Sequence, residues 1–168
     1  MAPVLVLVGS PGAGKSTVGR RVAEALGVTF VDSDALVESA AGMSVPDIFV
    51  MAGEDEFRRL EARAVETALD EGTGVVSLGG GAILSPETRA RLAGHRVVWL
   101  KVSVADAAKR VGMNTARPLL LGNVRGTLST LLEQRNPLYA EVASDIVDTT
   151  GHSQRAVVAE VLKVVTGA

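Results

Sequence analysis

One stretch near the start, Gly9-Ser10-Pro11-Gly12-Ala13-Gly14-Lys15-Ser16, puts an amine and a hydroxyl directly after a glycine-rich turn in the pattern G-x-x-x-x-G-K-S. Glycines let the backbone curl until successive N–H groups point inward and cradle an anion. An apolar run, Val4–Val8, precedes the stretch and a helix-forming run begins at Thr17. That strand–loop–helix setting is the one in which the pattern binds phosphate. The start of the helix adds its partial positive charge. Lys15 is then placed for β- and γ-phosphates, and the Ser16 hydroxyl for magnesium. The stretch predicts a nucleoside triphosphate bound with Mg2+. It does not name a reaction, because switches, motors and small kinases share such a loop.

Two carboxylates one residue apart, in Val31-Asp32-Ser33-Asp34, stand just past a second strand-like run and at a helix start. Phosphorylating a hydroxyl needs a group that orients the acceptor and takes its proton, together with support for the metal. The plainer alternative is that Asp34 caps the helix beginning at Ala35 and that Asp32 merely ends the strand. Ser77-Leu78 ends the third strand-like run, where phosphate-loop proteins often carry an acidic residue. Metal support is therefore expected from Asp32. Gly79-Gly80-Gly81 follows, which allows either close approach of a ligand to the backbone or simply a flexible turn.

Arginines supply the remaining chemistry. The charged helix after Gly53 spaces Glu54 from Arg58, and Asp55 from Arg59, for i,i+4 pairs, so a solvated face is its default reading. Arg110, Arg117 and Arg135 lie later in the chain, Arg117 just before Pro118 and Arg135 near Pro137. One arginine closing over ATP neutralises charge on the transferring phosphoryl group, and a fork of arginines suits a carboxylate. His95 and His152 are isolated on expected loops and read as solvent-facing; Trp99 and Tyr139 read as packing residues, and Arg20-Arg21 as the outer face of the first helix.

These residues need a scaffold, and the pattern of the chain describes one. Val4–Val8, Thr29–Val31, Gly74–Ser77, Val97–Val102 and Asp145–Val147 read as strands, mostly unbroken apolar runs of the kind covered on both faces. Helices are expected over Thr17–Leu26, Ala35–Ala41, Val45–Met51, Glu54–Leu69, Pro86–Ala93, Ala105–Val111, Thr127–Ala143 and Gln154–Val165. Ser85 before Pro86 is a cap followed by a first-turn proline. The alternation implies an α/β sandwich of three layers, helix–sheet–helix, around a parallel sheet. Ligands in such sheets bind past the carboxyl ends of the strands, which puts the glycine-rich loop, Asp32–Asp34 and Gly79–Gly81 on one rim. Gly112–Gly126 breaks the pattern with its glycines, Pro118, Asn114, Asn123, Arg117 and Arg125, and reads as a mobile lid.

The bulk numbers narrow the partners. A length of 168 residues suits one domain, 1–168, with the lid at about 112–126. A net charge of −2 leaves no basic field for nucleic acid or for a membrane surface, and 3% aromatics leaves little for stacking on bases. Cysteine is absent, which removes disulfides, thiol nucleophiles and thiolate metal sites and fits a cytoplasmic protein. The N-terminal apolar run is too short to span a membrane and has no basic residue ahead of it.

Taken together, the residues resemble the shikimate kinases, nucleoside-monophosphate-kinase-like phosphate-loop proteins. The likeness runs from about Val4 to Val165 and rests on the phosphate loop, Asp32-Ser33-Asp34, Asp47-Ile48-Phe49, Phe57-Arg58 with Glu61, Leu78-Gly79-Gly80-Gly81-Ala82, Arg117-Pro118-Leu119-Leu120, and Arg135 with Pro137-Leu138-Tyr139. It implies a five-stranded parallel sheet in the order 2-3-1-4-5. It also implies transfer of the ATP γ-phosphoryl group to the 3-hydroxyl of shikimate, giving shikimate 3-phosphate and ADP, within chorismate and aromatic amino-acid biosynthesis. By the same resemblance Asp34 orients the acceptor and takes its proton. Arg58 and Arg135 hold the shikimate carboxylate, Gly80 and Gly81 offer backbone contacts, Phe49 and Phe57 wall the ring, and Glu61 positions Arg58. Lys15 and Arg117 stabilise the moving phosphoryl group, while Ser16 and Asp32 support Mg2+. ATP contacts fall to Gly12, Ala13, Gly14, Lys15, Ser16, Thr17, Arg110, Arg117 and Gln154, and the protein is expected to be a monomer. Relatives often carry a proline near Gly151–Gln154 in the adenine wall, and this chain has none there.

Overall fold

The first strand, β1 (Leu5–Val8), has no polar side chain and is buried along its whole length. Such a strand needs cover on both faces and both edges. The computed structural model, which describes residues 3–112 and 124–167, supplies it. β1 is the middle of a five-stranded parallel sheet ordered β2-β3-β1-β4-β5, where β2 is Phe30–Asp32, β3 Val75–Ser77, β4 Val97–Lys101 and β5 Asp145–Asp148. The helices are α1 (Lys15–Leu26), α2 (Ser33–Ala41), α3 (Val45–Glu71), α4 (Pro86–Arg91), α5 (Val104–Gly112), α6 (Val124–Val142) and α7 (Gln154–Thr166), with a 3-10 turn at Ala82–Leu84 after β3.

Alternate residues of a strand face opposite sides, and β1 uses this to build two cores. Leu5 and Leu7 pack with Val18 and Val22 of α1 and Val157 and Val161 of α7. Val6 and Val8 pack with Val65 and Leu69 of α3, Trp99 of β4 and Tyr139 of α6. Each fully buried leucine or valine contributes about 1.5–3 kcal/mol by leaving water, so β1 is the main anchor of both layers. A smaller core of Val37, Ile48, Phe57 and Ala64 seats α2 on α3.

Several boundaries differ from the sequence expectation. α1 begins at Lys15 rather than Thr17, because Gly14 adopts the left-handed conformation (φ 86°) that turns the loop into the helix. The two helices expected around Gly53 run as one segment, α3, broken where Gly53 takes φ 87° and ψ 170°. α6 begins at Val124, so Arg125 and Gly126 belong to a helix rather than to the expected lid, and Gly112 closes α5. The rest of that expected lid, including Arg117 and Pro118, lies outside the described residues. Ser85 caps α4 as anticipated, its Oγ accepting from the Thr88 N–H at 3.3 Å.

Candidate active site

The end of β1 leads directly into the phosphate loop. A side chain on Gly9 would stand 2.6 Å from the Leu100 carbonyl oxygen, so the loop can lie this close to β4 only with glycine there. Lys15 at the start of α1 reaches back over the loop, its Nζ donating to the Gly9 carbonyl at 2.7 Å and to the Ser10 carbonyl at 3.2 Å. Ala13 lies beneath the loop at 2% exposure, and its N–H donates to the Ser10 carbonyl at 3.1 Å. It does not line the cleft that opens above. That cleft, about 320 Å³, is lined by Gly12, Gly14, Lys15, Ser16, Thr17, Asp32, Asp34, Gly80, Arg110 and Gln154, among others.

Asp32 ends β2 beside the loop. Its Oδ2 accepts from Ser16 Oγ at 2.6 Å and its Oδ1 from the Asp34 N–H at 2.9 Å. Asp32, not Asp34, is thus the cap of α2, because its extended backbone (φ −113°) aims the carboxylate back at the new helix. Asp34, in the first turn, is left pointing at the glycine loop: a side chain on Gly79 would meet its Oδ1 at 2.6 Å. Ser33 between them is fully buried, and its Oγ accepts from the Gly79 N–H at 2.9 Å. That bond joins the two halves of the rim. Composition gave Ser33 no distinguishing signal beyond its place between two aspartates.

The residues expected on the acceptor side come from α3 and α6. Arg58 donates from Nη1 to Glu61 Oε1 at 2.8 Å, and its Nε lies 3.5 Å from Glu54 Oε2. The Asp55–Arg59 spacing is not used; Arg59 donates from Nε to Glu56 at 2.9 Å instead. Glu61 is 3% exposed, and burial raises its pKa above the ordinary carboxylate value against the pull of Arg58. Asp34 and Arg135 act on the same carboxyl, Asp34 raising its pKa further and Arg135 lowering it. Asp34, the Arg58–Glu61 pair and Arg135, which come from three separate stretches of the sequence, therefore share one neighbourhood. Phe49 and Phe57 stack at 4.7 Å between ring centres, and the Arg58 guanidinium sits 5.2 Å over the Phe57 ring.

The set is not all in one cavity. Arg58, Glu61 and Gly81 line a separate recess of about 240 Å³, while Asp34 and Gly80 face the phosphate cleft. Neither volume is lined by Phe49, Phe57 or Arg135. At the far end of the cleft Arg110 donates from Nη1 to the Gly12 carbonyl at 2.9 Å, and Gln154 opens α7 beside it. His95 is half-buried and His152 exposed, and neither lines the cleft.

Among the described residues no cluster of three or more His, Cys, Asp or Glu side chains forms a metal cage. Mg2+ does not need one. It keeps several waters and takes substrate phosphates plus one or two protein oxygens, so the Ser16 hydroxyl paired with the Asp32 carboxylate fits it.

The family model for shikimate kinase matches residues 11–166. The chain belongs to the shikimate kinase family. The shikimate kinase of Thermobifida fusca is 59% identical over 151 residues, covering 90% of this chain and 88% of that protein. The shikimate kinase of Salinispora arenicola is 52% identical over 161 residues, covering 96% of each. Among solved structures, a shikimate kinase from Acinetobacter baumannii in complex with shikimate superposes with a TM-score of 0.93 at 36% identity, over 99% of this chain and 94% of that one. Shikimate kinases are ATP-dependent phosphotransferases, and the phosphate loop here has the family's expected place at the end of the central strand.

Proposed function

We propose that this chain transfers the γ-phosphoryl group of ATP to the 3-hydroxyl of shikimate. The observation that carries the acceptor reading is the placement of Asp34 between the Ser16–Asp32 pair on one side and the buried Glu61 with its partner Arg58 on the other. A carboxylate there lies between the phosphates and an arginine held ready for an anionic group.

The reaction then runs on this chain's own residues. Arg58 and Arg135 hold the carboxylate of shikimate, with Gly80 and Gly81 contributing backbone contacts and Phe49 and Phe57 the wall. Glu61 keeps the Arg58 guanidinium aimed. Asp34 accepts the proton of the 3-hydroxyl as its oxygen forms the new bond to phosphorus. The bond between that phosphorus and the β–γ bridging oxygen breaks, and ADP leaves with the electron pair. Lys15 and Arg117 stabilise charge on the phosphoryl group in flight. Gly12, Gly14, Ser16 and Thr17 hold the phosphates, with Ala13 bracing the loop from beneath, and Arg110 and Gln154 hold the adenosine end. Ser16 and Asp32 would hold Mg2+, which would supply positive charge against the phosphates.

The same reading makes residues 1–168 one domain with its lid near Arg117, working as a cytoplasmic monomer on small molecules without nucleic acid or membrane. In support, no single helix among the described residues is long and apolar enough to cross a membrane, and the net charge of −2 gives nucleic acid no basic field. The test is a coupled assay of ADP release with Mg2+, ATP and a panel of hydroxylated acceptors. Shikimate should be the acceptor with the highest kcat/KM; no release above background with shikimate would end the proposal.

A further inference from the structure

We infer that Tyr139 is a positioning residue, one that fixes the Gly80–Gly81 peptide so that its N–H stays turned toward the acceptor. The inference rests on the shikimate reading above and concerns a side chain to which that reading gives no role. Tyr139 Oη donates to the Gly80 carbonyl at 2.6 Å across 59 residues of sequence. A peptide unit is planar, and its C=O and N–H point in opposite directions. Holding the Gly80 carbonyl therefore also sets the direction of the Gly81 N–H.

Glycines make such a hold necessary. Three in a row leave each peptide plane free to flip at little steric cost. Among the described residues neither the Gly80 nor the Gly81 N–H donates a hydrogen bond, so no other contact sets that plane from the amide side. The neighbour of Gly81 is Arg58: a side chain on Gly81 would collide with Arg58 Nη1. A carboxylate gripped by Arg58 would thus lie beside Gly81, which lines the same recess.

The holder is itself rigid. Tyr139 is fully buried, with its ring 5.7 Å from that of Trp99. It follows Arg135 by one helical turn on α6, so the same helix carries an arginine of the acceptor site and the pin on the glycine loop. Two residues on, Glu141 pairs with Arg89 at 2.9 Å, and Arg89 donates to the Ile83 and Leu84 carbonyls at 2.8 and 3.1 Å. α6 thereby grips the segment 80–84 at both ends. Burial pushes the Tyr139 hydroxyl up to about 12, so it remains a donor at neutral pH.

Tyr139→Phe keeps the ring and removes the hydroxyl, and with it both the bond to the Gly80 carbonyl and the hydrogen bond with the Arg135 side chain, so the state of the Gly81 amide separates the loop from the arginine. The expected result is a shikimate KM about tenfold higher, with the ATP KM unchanged within about twofold. Trp99→Phe is the packing control: it should lower Tm while leaving the shikimate KM within about twofold of wild type. In the folded Tyr139→Phe protein the Gly81 amide resonance should also shift and broaden by NMR as its peptide plane is released, while an unmoved Gly81 resonance overturns the inference. An unchanged shikimate KM in an active Tyr139→Phe enzyme, or an equal rise in both KM values, overturns the inference while leaving the activity intact. A wild-type chain inactive on shikimate overturns both.

Discussion

Ser16 Oγ donates to Asp32 Oδ2 at 2.6 Å, and this bond ties the first turn of α1 to the N-terminal cap of α2. Asp32 accepts a second bond from the Asp34 N–H through its other oxygen, so one carboxylate both caps a helix and faces the Ser16 hydroxyl. The two jobs can be separated by mutation. Asp32→Asn keeps an oxygen for the cap and loses the charge, so Tm should hold while the Mg2+ concentration for half-maximal activity rises at least about tenfold. Asp32→Ala should show the same metal defect and lose a further ~1 kcal/mol of stability with the cap. Thermal unfolding and Mg2+ titration of activity check the pair.

Asp34 has a different fate. Asp34→Asn should leave ATP affinity within about threefold by calorimetry while kcat falls by about 100- to 10,000-fold, the usual cost of losing a positioned proton acceptor. Normal turnover in that variant would remove Asp34 from the chemistry.

On the proposed reading, Glu61 should make the acceptor site sensitive to acid. Its carboxyl has its pKa raised above 4.5 in the folded protein, chiefly by burial, so it takes up a proton at higher pH than in the unfolded chain. For stability the sign favours acid: Glu61's own contribution is fully present below its unfolded pKa and is lost as pH rises through the folded value. For binding the sign is opposite, because a neutral Glu61 no longer pairs with Arg58 at 2.8 Å. The shikimate KM should therefore rise as pH falls through the raised pKa, with the ATP KM flat. Glu61→Gln should have a high shikimate KM at every pH and no such limb. KM profiles between roughly pH 5 and 8 decide it.

The glycine loop predicts a graded series. Gly81→Ala drives a methyl group against the Arg58 guanidinium, the mobile tip of a long side chain, so the protein should fold and lose mainly shikimate affinity. Gly79→Ala meets Asp34 Oδ1 at 2.6 Å and Glu61 Oε2 at 3.1 Å, so it should lower kcat as well. A rise of about tenfold in the shikimate KM for Gly81→Ala, against a combined kcat and KM defect for Gly79→Ala, is the expected split. Equal effects of the two substitutions on kcat would contradict this arrangement.

Much of this site was legible before any coordinates. Gly9–Ser16 is local: its glycines, lysine and serine act through the backbone of a few consecutive residues, which a motif captures. The apolar run Val4–Val8 announced a strand covered on both faces, and β1 is that strand. The pairing of Arg58 with Glu61 follows from one helical turn, and the resemblance had already assigned it. Other readings failed where local propensity was silent. Nothing in Asp32-Ser33-Asp34 says which aspartate caps the helix; the backbone direction at the end of β2 does. Tyr139 read as a packing residue, and it does pack, but its hydroxyl also holds the loop.

The division follows sequence distance. By itself the chain determined what a run of neighbours can determine: an anion-binding turn, the strands and helices, and the residue types available for catalysis. Which of them meet was decided by strand order. Because β3 lies between β1 and β2, the Gly79 N–H comes within 2.9 Å of Ser33 Oγ, 46 residues away, and Asp34 faces the glycine loop. Because α6 packs on the same face as Val6 and Val8, Tyr139 reaches Gly80. Hydrogen bonds of about 3 Å between such distant residues exist only after burial has docked whole layers, and no local preference encodes them.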